Sequence, residues 1–132
     1  MRSGPVVMVV EDDVEMNELQ RELLAVHGLS AVPAYTGSEA LEVCDRCKAD
    51  AVLLDVMLPE LDGFETCRRL RRPGRRRLPI VMVTALDSED CRRQGLEAGA
   101  DAYFSKPFDP TEVIQTLLRL LGESTERADP AD

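Results

Sequence analysis

Five short apolar runs, each followed by a helical pattern, limit this chain to a narrow set of folds. Val6-Val7-Met8-Val9-Val10 is unbroken by polar residues, as expected of a strand buried on both faces. Met16, Leu19, Leu23 and Val26 then recur at spacings of three and four, the stripe of an amphipathic helix that Gly28 ends. Ala31 to Tyr35 reads as a second strand, and Pro33 inside it removes a ladder donor, which demands an edge position. Thr36-Gly37-Ser38-Glu39 is a capping box opening a helix that runs to about Lys48. Ala51-Val52-Leu53-Leu54 is a third strand, delivering Asp55 at its end. A helix from about Asp62 to Arg72 follows, then the strand Ile80-Val81-Met82-Val83 ending in Thr84. Another helix spans about Ser88 to Ala98 and stops at Gly99. Ala102-Tyr103-Phe104 is the fifth strand, ending near Lys106, and Asp109-Pro110-Thr111-Glu112 caps the last helix with proline at its first position.

Strand–helix units in this succession imply an α/β fold, a doubly wound five-stranded parallel sheet with helices on both faces. Right-handed crossovers leave few windings, and the order 2-1-3-4-5 puts the Pro33 strand at an edge. The 132 residues, 44% of them apolar, suit one domain with a sizeable core, over about residues 5–121. No run approaches the roughly 20 apolar residues of a membrane helix, and no signal peptide is read before the first strand. Four cysteines make no disulfide framework, so a reducing cytoplasm is expected. A net charge of −9 argues against general nucleic-acid binding. Residues 122–132, with a net charge of −3 and almost no apolar side chains, read as a disordered acidic tail or truncated linker.

In such sheets ligands bind beyond the carboxyl ends of the strands, at the switch point between strands 1 and 3. The residues standing there are Glu11, Asp12 and Asp13, then Asp55, Thr84 and Lys106. Two unit charges about 4 Å apart repel by roughly 4 kcal/mol at an effective dielectric of 20, so these carboxylates require a cation. Oxygen ligands without His or Cys point to Mg²⁺. A lysine at the same rim neutralises a carboxylate or binds a phosphoryl oxygen, and Thr84 offers a hydroxyl. A carboxylate, a metal, a lysine and a hydroxyl are the parts needed for phosphoryl transfer onto an aspartate.

On these residues the chain resembles the receiver domain, the phospho-accepting module of two-component response regulators, with the flavodoxin-like (βα)5 fold. The resemblance rests on Glu11-Asp12-Asp13 after strand 1, Asp55-Val-Met57-Leu-Pro59 with Asp62-Gly63 after strand 3, Val-Thr84-Ala85, and Tyr103-Phe-Ser-Lys106-Pro107-Phe108. It implies that Asp55 is the phosphoacceptor and that Glu11, Asp12, the Asp55 carboxylate and the Met57 backbone carbonyl hold Mg²⁺. It implies that Thr84 and Lys106 bind phosphoryl oxygens and that Tyr103 changes rotamer as Thr84 moves. The Lys106-Pro107 bond is expected to be cis. The implied donor is a sensor histidine kinase or histidine phosphotransfer protein, and the recipient a downstream protein or an effector domain outside this chain. The domain would catalyse only its own phosphorylation and dephosphorylation.

In the family the output surface comprises helix 4, strand 5 and helix 5. Relatives with winged-helix DNA-binding domains dimerise there through salt bridges. This chain keeps one such pair, Arg92 with Glu112, but has Ala102, Thr116 and Leu118 where those relatives carry charge. Leu118 also falls outside the stripe of Val113, Ile114, Leu117 and Leu121 expected to face the core.

Two alternative functions share the winding or the nucleophile. A flavodoxin-like mononucleotide binder needs a hydroxyl- and glycine-rich loop after strand 1, where acidic residues would repel phosphate. An aspartate-nucleophile phosphatase of the haloacid-dehalogenase type expects a second aspartate where Met57 stands. Cys44-Asp45-Arg46-Cys47 has redox or half-zinc-site spacing, but Cys67 and Cys91 supply no second pair, so partly buried thiols are expected. His27 has no acidic neighbour and is not read as a phosphodonor. Arg68, Arg69, Arg71, Arg72, Arg75, Arg76 and Arg77 are read as solvating the end of helix 3 and its loop.

Overall fold

Strands that are apolar on both sides need helices on both faces, and the chain supplies them in alternation. The computed structural model describes residues 4–72 and 78–126. Arg75, Arg76 and Arg77 and tail residues 127–132 lie outside the described residues. The elements run β1 (Val6–Val10), α1 (Val14–Val26), β2 (Ser30–Ala34), α2 (Gly37–Cys47), β3 (Ala51–Leu54), α3 (Gly63–Leu70), β4 (Ile80–Thr84), α4 (Glu89–Ala98), β5 (Ala102–Ser105) and α5 (Pro110–Glu126). The sheet is parallel throughout, in the order β2-β1-β3-β4-β5, with the Pro33 strand at its edge.

Side chains alternate across a strand, so each strand feeds two cores. Met8, Val10, Val52, Leu54 and Met82 face one core, closed by Val43 of α2, Cys67 and Leu70 of α3 and Ala98 of α4. Val7, Val9, Leu53, Val81 and Val83 face the other, closed by Leu24 of α1 and by Val113, Ile114, Leu117 and Leu120 of α5. Among the described residues no helix is long and apolar enough to cross a membrane.

Helix starts follow the local chemistry. Asp13, Thr36, Asp62 and Ser88 are N-caps whose side chains accept from the backbone N–H three residues on. In the box at Thr36, Glu39 reaches back to the N–H of Tyr35 rather than to the cap itself.

Three expectations need correction. The α1 stripe is misplaced: Leu19 and Val26 are 51% and 79% exposed, while Asn17, Gln20 and Leu24 are buried. The helix is seated by Asn17, whose amide satisfies carbonyls at the sheet, and this outweighs the apolar pattern. In α5 it is Leu120 that is buried and Leu121 only half-buried. That helix also continues to Glu126, into the segment 122–132 read as tail.

The arginine cluster is not a uniformly solvated face either. Arg68 and Arg69 pair with Glu65, and Arg72 pairs with Asp45, all on the surface. Arg71 turns inward: its Nε donates to the Gly99 carbonyl at 2.8 Å, Nη1 to the Leu78 carbonyl and Nη2 to Asp101 at 2.7 Å. The Asp101 Oδ2 that receives Arg71 also accepts from the Ile80 N–H. One side chain thus fastens the end of α3 to the start of β4 and the α4–β5 turn.

Candidate functional site

The parallel ladder extends one step beyond the strands and carries the polar residues with it. Glu11 N–H donates to Ala34 O, Asp55 N–H to Val10 O and Lys106 N–H to Thr84 O. The side chains that follow β1, β3 and β5 are therefore fixed by the register of the sheet. Gly63 lets α3 begin against this edge: a Cβ there would lie 2.5 Å from the Asp55 carbonyl oxygen. Its N–H donates to Val56 O.

Lys106 occupies the centre. Its Nζ donates to Asp55 Oδ2 at 2.8 Å and to Glu11 Oε1 at 2.9 Å. Both carboxylates are almost fully buried. The remaining oxygens are also used: Asp55 Oδ1 accepts from the Met57 N–H, and Glu11 Oε2 from the Asp13 N–H. Burial raises the Glu11 pKa, and the hydrogen bond from Lys106 only partly offsets it. Burial by itself would lower the Lys106 pKa, but the two carboxylates override it and hold the ammonium charged. The site meets the need for a cation with its own lysine.

Thr84, at the end of β4, is fully buried, and its Oγ1 accepts from the Leu86 N–H at 3.3 Å. Tyr103 is buried too, and its hydroxyl donates to Leu86 O at 2.7 Å. Burial raises the phenol pKa, so the group remains a donor. The Lys106–Pro107 peptide is cis, as expected. Asp12 lies exposed at the rim beside this cluster, and the Met57 side chain is exposed. Asp13 does not join the carboxylates; it caps α1. The residue that sequence reasoning missed is Asn17. Its Nδ2 donates to the carbonyls of Val9, Glu11 and Ala34, pinning the acidic turn from below, and its Oδ1 accepts from Arg21. The signal available was a polar residue one helical turn after the Asp13 cap.

Among the described residues no three His, Cys, Asp or Glu side chains already converge as metal ligands. The donor set is nonetheless oxygen-only, with two buried carboxylates on one cation and a third carboxylate at the rim, which is chemistry suited to a hard divalent ion. All four cysteines are free, and burial pushes the Cys67 thiol up to about 11. His27 is exposed, with Nδ1 2.9 Å from Leu23 O.

A buried aspartate bridged by lysine to an acidic turn, flanked by a buried threonine, is the arrangement of a phospho-accepting domain. The chain belongs to the response regulator receiver domain family, whose model matches residues 7–118. It is 44% identical over 119 residues to the response regulator MprA of Mycolicibacterium vanbaalenii, an alignment covering 90% of this chain and 51% of that protein. It is 45% identical over 115 residues to MprA of Mycobacterium leprae, covering 87% and 50%. The chain spans about half the length of these curated relatives.

Among solved structures it is similar to the BeF3-activated N-terminal receiver domain of Klebsiella pneumoniae RstA. That match has a TM-score of 0.82 and 39% identity, over 88% of this chain and 97% of that one. A response regulator structure from Chloroflexus aurantiacus matches with TM-score 0.84 and 35% identity, over 90% and 99%. As a receiver domain the chain accepts a phosphoryl group on an aspartate within a two-component phosphorelay, and it catalyses only its own phosphorylation and dephosphorylation. The family implies a histidine kinase or phosphotransfer protein as donor and Mg²⁺-dependent chemistry. This decides against the mononucleotide-binding and phosphatase alternatives.

Proposed function

We propose that Asp55 is the phosphoacceptor, that Glu11, Asp12, Asp55 and the Met57 backbone carbonyl hold Mg²⁺, and that Thr84 and Lys106 bind the phosphoryl oxygens. The observation that carries this reading is Lys106 Nζ bonded to both Asp55 and Glu11 in a buried pocket at the strand ends. When bound, Mg²⁺ supplies positive charge that offsets the clustered carboxylates and the incoming phosphoryl oxygens. Asp55 Oδ forms a bond to phosphorus as the phosphorus–nitrogen bond of a phosphohistidine donor breaks. Lys106 stabilises charge on the transferred group, and burial limits access of water to the acyl phosphate.

Phosphorylation adds nearly two units of charge and strong acceptor oxygens. Thr84 gains a bond by turning toward them, and Tyr103 changes place with it, so the domain is biased between two states. Driving such a pair from 1:99 to 99:1 takes about 5.5 kcal/mol, a size that a few charge-assisted bonds approach. The output is a protein contact on α4, β5 and α5, either to a separate partner in the cytoplasm or to an effector domain. The receiver unit is residues 5–121; α5 runs on from it to Glu126, so that segment 122–132 begins as helix and serves as a connecting or terminal piece. Acetyl phosphate with Mg²⁺ should load one phosphoryl group, and borohydride reduction of the acyl phosphate should mark Asp55. A mark on Glu11 or Asp12 instead would overturn the assignment.

A further inference from the structure

Gly95 lies inside α4, where glycine is the weakest helix former apart from proline, and it is buried. A Cβ at this position would lie 2.7 Å from Tyr103 Cδ2, 3.0 Å from Tyr103 Cε2 and 2.9 Å from Met82 Sδ. The Tyr103 ring therefore occupies space that any other residue at 95 would claim. Two further contacts hold the ring there. Its hydroxyl donates to Leu86 O at 2.7 Å, and the Arg92 guanidinium lies 5.2 Å from the ring centroid while Nη1 donates to Tyr103 O. The Leu86 N–H in turn donates to Thr84 Oγ1. Leu86 thus connects the Thr84 hydroxyl to the Tyr103 hydroxyl through its own peptide groups.

We propose that Gly95 is a positioning residue that admits the Tyr103 ring to this inward place and thereby sets how strongly the phosphoryl site is coupled to the α4–β5–α5 surface. The coupling rests on the reading of Asp55 as phosphoacceptor, whereas the cradle does not. If the inward ring accompanies phosphoryl occupancy, anything that disfavours the ring must weaken binding at Asp55 in proportion to the fall in the inward population.

The chain has two tyrosines and no tryptophan, so Tyr35→Phe leaves Tyr103 as the sole emitter. Acrylamide is uncharged and insensitive to the net charge of −9, which makes it a fair quencher. In that background Gly95→Ala should raise the quenching constant several-fold and weaken beryllofluoride binding in Mg²⁺ about tenfold. Unchanged quenching overturns the cradle. Raised quenching with unchanged beryllofluoride affinity overturns the coupling. Alanine is the better helix former, so with Tyr103→Ala the Gly95→Ala change should raise the melting temperature, whereas beside Tyr103 it should lower it. If Gly95→Ala folds only when Tyr103 is also truncated, the cradle is supported; if it lowers stability in both backgrounds, the cradle is wrong. Failure of the parent to bind beryllofluoride would count against the Asp55 reading and the coupling, while the quenching and melting comparisons still decide the cradle.

Discussion

Asn17 shares two amide hydrogens among the carbonyls of Val9, Glu11 and Ala34, joining two strands and the acidic turn. Truncation to alanine would take this amide donor from all three, although Ala34 O would keep the Glu11 N–H. Asn17→Ala should cost about 1–3 kcal/mol, whereas Leu19→Ala, on the exposed side of α1, should stay within about 0.5 kcal/mol. Urea unfolding of both variants checks the contrast, and the reverse ranking would mean that the apolar stripe, not the amide, seats the helix.

Glu11 carries a second residue-scale prediction. Its pKa is raised above 4.5 by burial, so above pH 4.5 the folded chain retains a proton that the unfolded chain has released. This group alone makes stability fall as pH rises through its folded value. In the presence of a chelator, the stability of Glu11→Gln relative to wild type should therefore increase from pH 4.5 upward and level off once Glu11 is ionised in both states. A difference that declines over that range would show the opposite shift.

At the scale of elements, the strand ends were legible because a two-sided apolar run needs little arbitration, and Asp55, Thr84 and Lys106 fall just after or at the end of such runs. The cap at Thr36 and the helix start at Ser88 were legible for a similar reason: hydroxyl side chains compete for the first free N–H groups. The seating of α1 was not, because an amide reaching three carbonyls leaves no periodic trace. Arg71 was hidden inside a cluster whose members look alike in sequence. Its side chain is 16% exposed and makes three bonds across α3, β4 and the α4–β5 turn. Arg71→Ala should cost about 1.5–3 kcal/mol, since a charged donor to two half-buried carbonyls is lost. Arg72→Ala, which breaks an exposed ion pair, should cost no more than about 1 kcal/mol. Equal costs in denaturant melts would restore the view of the cluster as a solvated face.

For the molecule as a whole, the α4–β5–α5 face proposed as the output surface has Ala102, Thr116 and Leu118 where a charge-locked dimer would be expected to carry charge. Arg92, half of the one retained pair, is engaged within the chain on Tyr103. Leu118 of α5 is 46% exposed and Leu96 of α4 is exposed as well. Light scattering with beryllofluoride and Mg²⁺ should show no dimer that depends on Arg92 and Glu112. A dimer abolished by Arg92→Glu and recovered by adding Glu112→Arg would contradict this. Phosphorylation on Asp55 is tested most directly by intact-mass measurement after incubation with acetyl phosphate and Mg²⁺. Wild type should gain the mass of a single phosphoryl group and Asp55→Asn should gain none; the same gain in both proteins would place the acceptor elsewhere.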